Sequence, residues 1–263
     1  MKELSLPRPS AGLLHRRLCL AADVEQYGRL DTRTQLAVQS ELVRMLDEAA
    51  TLTGLDRAAW KRQPQGDLEF AVLPEATPED AVVGPFVHHL AVRLGDRNAR
   101  PAAQRVRLRM AVDTGVVADA ALGHAGPAPV AVARYVNALQ LRAVFAALTA
   151  ADLAVIVSDR LYQDVVRSGR RDLDPAQYVR VHVREKEFGG YGWICVPGHA
   201  PDDVRSALVQ APEPEPSPDA DAPGRTTLSQ HVHQGVAVGR DVVGGLTVGL
   251  PVSPPPADSG PAR

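Results

Sequence analysis

Arg17-Leu-Cys-Leu-Ala-Ala-Asp23 and Gly66-Asp67-Leu-Glu-Phe-Ala-Val-Leu73 are the stretches on which the fold turns. In the first, Leu18, Leu20 and Ala22 alternate with Cys19 and Ala21, so both faces are apolar and a central strand is expected. In the second, Gly66-Asp67 breaks the run from Trp60 to Leu73 into a hairpin. One strand ends in Asp23, and the other begins just after Asp67. Two carboxylates at adjacent strand ends suit a divalent cation held against a triphosphate. An aspartate at a strand end also caps turns. Both readings stay open at this point.

Outward from these strands the periods alternate as in an α/β domain. Asp31-Thr32 starts a helix, Val38, Leu42, Met45, Leu46, Ala49 and Leu52 recur at three-to-four spacing, and Gly54 stops it. Thr77-Pro-Glu-Asp80 opens a second helix that runs to about Leu94 and ends at Gly95. Val106, Leu108, Met110 and Val112 alternate with Arg105, Arg107, Arg109 and Ala111, which predicts a strand with one wet face. Gly115 is expected to turn it into Val116-Val117. A helix is expected from about Val130 to Leu148, and a buried strand from Leu153 to Val157. Ser158-Asp159 caps a short helix. Val179, Val181 and Val183 mark another strand, and Gly189-Gly190 is expected to turn into the last one, Tyr191 to Val196.

Composition excludes several functions. The chain has 263 residues with 29 basic and 31 acidic side chains, without the basic excess of a general nucleic-acid binder. Aromatic residues make up 4%, too few for single-strand stacking platforms. Cys19 and Cys195 lie in apolar runs and read as small hydrophobes, with no disulfide or zinc framework. No apolar run is long enough for a signal peptide or a membrane span, so no membrane partner and a cytoplasmic location are expected. His88-His89 on a helix reads as a solvated or partly buried pair, and His231 with His233 lacks acidic or Cys partners. The Arg105/Arg107/Arg109 stripe reads as a solvated or interface face. Neither a Gly-x-Ser-x-Gly nucleophile nor a Walker phosphate loop is present.

The segments divide as follows. Residues 1–15 form a loose lead-in and residues 16–198 the folded domain. Residues 199–225 read as a disordered Pro- and Asp-rich linker, and residues 251–263 as a disordered tail. Between them, residues 226–250 set Val236, Val238, Val242, Val243, Leu246 and Val248 between glycines. That segment has high β-propensity, low charge and no proline, the signature of stacking with copies of itself. The alternatives are a disordered Gly-rich tail and a hairpin on the domain edge.

The order strand–Asp, long helix, Gly-Asp hairpin, helix, strand–Thr-Gly-Val-Val, helix, strand–Ser-Asp resembles the class III adenylate/guanylate cyclase homology domain. Ala22-Asp23-Val24, Gln65-Gly66-Asp67, Arg109-Met-Ala-Val-Asp-Thr-Gly-Val-Val117 and Ile156-Val-Ser-Asp159 carry the resemblance across residues 16–198. It implies a ferredoxin-like α/β palm, a central and mostly antiparallel sheet flanked by helices, that forms a head-to-tail homodimer with nucleoside triphosphate sites at the interface. It also implies Mg or Mn on Asp23 and Asp67, backbone amides of residues 25–28 (Gln26 and Tyr27 among them) toward phosphates, Lys186 toward the triphosphate, and Gln63 at the base-selecting position. The family's transition-state Asn and Arg, four residues apart, have no consistent counterpart. One register gives Ala131 and Tyr135. The other gives Asn137 with Leu141, one residue short of Arg142. Asn137 and Arg134 stand as the nearest candidates of the right type. The tail resembles the short amyloid signalling motifs, similar to the RHIM type, of bacterial NLR-like receptors and their effectors, with Val-Ala-Val-Gly and Leu-Thr-Val-Gly as the matching tetrads. Three functions follow as expectations: a bacterial signalling protein with a diverged or inactive cyclase-like domain, in a defence pathway and joined by its tail to an NLR-like or effector partner; an active metal-dependent cyclase; or a dimerisation scaffold.

Overall fold

β1 (His15–Val24) carries the apolar run of the first stretch. α1 (Thr32–Thr53) follows, its first turn capped by the Asp31 carboxylate accepting from the Thr34 amide, its end closed by left-handed Gly54. β2 (Lys61–Gln65) and β3 (Leu68–Val72) make the hairpin around Gly66-Asp67. α2 (Glu79–Ala81) passes through a π turn (Val82–Phe86) into α3 (Val87–Asn98). β4 (Leu108–Ala120) pairs at its end with the short β5 (Gly123–Ala125). α4 (Pro127–Val136) and α5 (Leu139–Ala147) lead to β6 (Leu153–Ser158) and α6 (Asp159–Asp164). β7 (Val179–Glu185), β8 (Phe188–Cys195) and α7 (Pro201–Val209) follow. This computed structural model describes residues 14–101, 104–121 and 123–210. The readings of residues 1–13 and of the 226–250 assembly segment lie outside the described residues.

The strands form one sheet in the order β2-β3-β1-β4-β6-β8-β7, with β5 attached to β4. The β4–β6 pair is parallel, and the other pairs are antiparallel. This is the expected mixed α/β fold, a large and mostly antiparallel sheet flanked by helices. Its two faces follow from the period of two. Leu18, Leu20, Ala22 and Val24 pack with Leu108, Met110 and Val112 against α1 and α3. Cys19 and Ala21 pack with Ala111, Ala154 and Ile156 against α4 and α5. Each fully buried Leu or Phe in these layers contributes about 1.5–3 kcal/mol. Among the described residues no helix is long and apolar enough to cross a membrane.

Several expectations differ from the structure. α3 continues through Gly95 to Asn98. β4 runs straight through Gly115 to Ala120, and a Cβ at Gly115 would stand 3.2 Å from the Ala128 Cβ, so the glycine lets α4 come close. The arginine stripe leading into β4 is covered in part: Arg105 stays exposed, whereas the Arg107 guanidinium lies 3.8 Å from the Phe145 ring centroid and donates to the Leu148 and Ala151 carbonyls of the segment after α5. The helix expected over residues 130–148 breaks at Asn137-Ala138. The last hairpin turns at Lys186-Glu187, with Lys186 left-handed, and Gly189 and Gly190 lie within β8. Gly192 sits in a close approach in that strand, where a Cβ would stand 2.8 Å from Ile156 Cδ1 and 3.2 Å from Tyr135 Cε1. Where composition reads a linker from residue 199, the chain first makes α7, which buries Val204 and Ala207.

A buried ion pair ties α1 and the hairpin together. Arg57 donates to both Glu69 carboxylate oxygens at 2.6 Å and pairs with Asp47 of α1. Arg57 and Glu69 are both buried. Arg57→Met leaves Glu69 buried without its partner and should lower the unfolding free energy by about 3–5 kcal/mol. Urea denaturation of Arg57→Met and of the double change with Glu69→Leu checks this. The double variant should recover most of the loss.

Candidate functional site

The sheet register brings the two aspartates together. Asp23 lies opposite Leu68 of β3 on one side and Arg109 of β4 on the other. The Asp67 carbonyl accepts from the Val24 amide at 3.1 Å, which fixes the hairpin turn beside the end of β1. Asp23 follows Cys19 and Ala21 onto the α4/α5 face. Its carboxylate pairs with the Arg109 guanidinium, and both side chains are largely buried. Burial raises the Asp23 pKa. Arg109 pulls it down, neighbouring Asp67 pushes it up again, and Arg142 pulls it down. The Asp67 carboxylate makes no hydrogen bond or ion pair among the described residues.

The turn after β1 is separate from the first helix, which begins only at Thr32. Gln26 is left-handed, and its side-chain oxygen accepts from Arg29 Nη1 at 3.0 Å. The Tyr27 hydroxyl accepts from Gln39 Nε2 at 2.7 Å, and the same nitrogen donates to the Gly66 carbonyl at 3.0 Å. Gln39 therefore couples the turn carrying Gln26 and Tyr27 to the turn carrying Asp67.

Gln63, Arg134 and Asn137 share a cavity of about 380 Å³ with Ala21, Phe70 and His124. The Gln63 side chain occupies the space a side chain at position 123 would need, with Nε2 1.5 Å from an ideal Cβ on Gly123. Arg134 Nη2 reaches Glu187 Oε1 at 3.4 Å. Asn137 Nδ2 donates to the Ala133 carbonyl at 3.0 Å, and Asn137 Oδ1 accepts from Arg142 Nη2 at 2.7 Å. Ala131, Tyr135 and Leu141 are buried in the core.

Arg142 is the residue that sequence spacing does not find. Five residues beyond Asn137, it would point away from Asn137 on an unbroken helix. The break at Ala138 brings it back.

Lys186 is exposed in the β7–β8 turn, at the start of β8. Asp23 pairs with Arg109, Arg109 with Ala154, and the neighbouring Val155 with Cys195 at the other end of β8. The whole strand, roughly 25 Å for its length, separates the two levels. The structure does not bring Lys186 to the aspartates of its own chain.

The donor set suits a cation that arrives with its phosphates. Mg²⁺ is commonly held by one or two carboxylates plus substrate phosphates. Asp23 Oδ2 is engaged by Arg109, which leaves Asp23 Oδ1 and the Asp67 carboxylate. No group of three or more His, Cys, Asp or Glu residues gathers among the described residues, so a cage made of protein ligands alone is absent there.

The geometry has relatives among solved structures. The chain is similar to the adenylate/guanylate cyclase/hydrolase from Silicibacter pomeroyi, at 19% identity and a TM-score of 0.50, over 71% of this chain and 99% of that one. The fold is that of a nucleotide cyclase domain. Two further similar structures are the guanylyl cyclase Cya2 (12% identity, TM-score 0.49, 70% and 92% covered) and the adenylyl cyclase CyaB from P. aeruginosa (11%, 0.46, 71% and 97%). No family model and no curated protein matches the sequence.

Because the folded-state pKa of Asp23 exceeds its ordinary value, the folded protein holds that proton more tightly than the unfolded chain. Asp23 therefore removes stability as pH rises through the window between the two values. Asp67→Asn should move the Asp23 titration down, and Arg109→Gln should move it up. Carboxyl ¹³C NMR of the labelled protein reads both shifts, and an unmoved titration would contradict the pairing.

Proposed function

We propose that this chain is a signalling protein whose cyclase-like domain binds a metal–nucleoside triphosphate and does not turn it over. The observation that carries the reading is the state of the groups meant for the transition state. Asn137 donates to the Ala133 carbonyl and accepts from Arg142 across the helix break, and Arg134 Nη2 lies 3.4 Å from Glu187, so each of these side chains is turned to a neighbour in its own chain. Missing a single preorganised donor costs about 10²–10³ in rate. The adjacency of Asp23 and Asp67 supports the other half of the reading. Asp23 and Asp67 would hold Mg²⁺ or Mn²⁺, which when bound would neutralise phosphate charge. Gln26 and Tyr27 lie on the turn coupled to Asp67, and Gln63 offers an amide to a base.

Completion of the site calls for a homodimer. Lys186 stands beyond the far end of β8, so its ammonium would serve a triphosphate on a second copy arranged head to tail. The pattern at Val236, Val238, Val242, Val243, Leu246 and Val248 supports a further contact, β-stacking of residues 226–250 with an NLR-like or effector partner. A cytoplasmic setting suits such a protein.

A second reading, an active cyclase, is favoured by the approach of Arg142 to Asn137, which restores in space a pair that the spacing separates.

Calorimetric titration of the full chain with ATP, GTP, CTP and UTP, each with Mg²⁺ or Mn²⁺, tests the binding. At least one triphosphate should bind saturably, and Asp23→Asn and Asp67→Asn should each weaken it by about tenfold or more, the loss of one charge-assisted contact. If no triphosphate binds, or the variants bind like wild type, the reading fails.

A further inference from the structure

The opposite face of the sheet carries a second cavity, of about 510 Å³, that shares no lining residue with the one beside Gln63. Its walls come from the π turn and the start of α3, from the turns over residues 170–177, and from the end of β8. The size lies within the range of small-molecule sites.

Local chemistry fixes these walls. Pro85 has no amide hydrogen, and it opens the helix into the π turn. Arg171 is held in the left-handed region, at φ 50° and ψ 44°. Its Nε and that of Arg170 reach Asp80 Oδ2 at 3.2 and 3.5 Å, which clamps the loop to α2.

Three polar side chains on the walls, exposed His88, half-buried His89 and Tyr178, have no hydrogen-bond partner among the described residues. His88 and His89 touch each other ring to ring, with centroids 5.6 Å apart, and neither makes a hydrogen bond among the described residues. Tyr178 is 7% exposed, and its ring packs edge-on against Tyr162. Its hydroxyl makes no hydrogen bond among the described residues and is open to a ligand in the cavity. The one carboxylate of the wall, Asp174, is already bonded to the Ala176 amide and to Gln177 Nε2. The remaining lining is largely apolar, with Val83, Leu173 and Val196. Burial pushes the Cys195 thiol up to about 12, which favours its protonated form.

We propose that this cavity binds a small amphiphilic anion, with an apolar body between Val83, Leu173 and Val196 and a carboxylate or phosphate head toward His88, His89 and Tyr178. Binding here is reversible and does not depend on nucleotide binding at Asp23.

The full chain titrated with benzoate, phenyl phosphate and benzyl alcohol, followed by ligand-observed NMR, tests the inference. One or both anions should bind saturably, and the anion that binds more tightly identifies the head. Benzyl alcohol should bind at least about fivefold more weakly, the value of a single hydrogen bond. Tyr178→Phe, which removes only the hydroxyl, should weaken the anion about fivefold, and so should the double change of His88 and His89 to Ala. Circular dichroism verifies the fold of each variant, and if the double variant unfolds, Tyr178→Phe alone decides. No saturable binding of either anion, equal binding of benzyl alcohol, or an unchanged affinity in folded variants would overturn the proposal.

Discussion

The pairing of β1 with β4 is the constraint on which the rest of the structure depends. Ten residues of β1 face ten of β4, from His15 opposite Val117 to Val24 opposite Leu108. Because side chains alternate, that register sends Leu18, Leu20 and Ala22 to one helical layer and Cys19, Ala21 and Asp23 to the other. It also sets Asp23 against Arg109. A slip of one residue would send the larger Leu18 and Leu20 into the α4/α5 layer, and would part Asp23 from Arg109 and bury it among the apolar side chains of α1 and α3. The carboxylate pair is thus a product of the packing and not an addition to it.

Much of the fold was legible in the sequence. Leu18 to Ala22 and Leu153 to Val157 are apolar on both faces, and such strands have one place to go in a flanked sheet. Asp31 and Gly54 bracket α1 because one can cap an amide and the other can adopt a left-handed φ. The errors have a common source. Gly95, Gly115, Gly189 and Gly190 read as breakers, yet none of them turns the chain. Gly115 sits where α4 closes on the sheet, and Gly190 and Gly192 of β8 lie under Tyr135. A sequence shows that a glycine is there, but not whether it serves a turn or a close approach. The arginine stripe is part-solvated as expected at Arg105, but only the path of α5 reveals that Arg107 is covered by Phe145, and only the sheet register that Arg109 is paired with Asp23.

The candidate site divides along the same line. Asp23 and Asp67 were legible because strand ends and a Gly-Asp turn are local signals. The Asn137–Arg142 contact was not, because it exists only through the break at Ala138. That break is also where the chemistry is decided. An Asn and an Arg one helical turn apart can point together at a ligand, whereas here Arg142 is spent on Asn137 and lies close enough to lower the pKa of its own chain's Asp23. On the proposed reading, Asp23 and Asp67 would hold a charged nucleotide through its metal, while Asn137 and Arg142 bond to each other instead of to the reacting groups.

The most direct measurement is mass spectrometry of the nucleotide pool after the full chain has been incubated with ATP, GTP, CTP and UTP in Mn²⁺. The account predicts unchanged triphosphates and no cyclic monophosphate above the level of an Asp23→Ala control. A cyclic nucleotide formed by the wild type and absent from that control would contradict it.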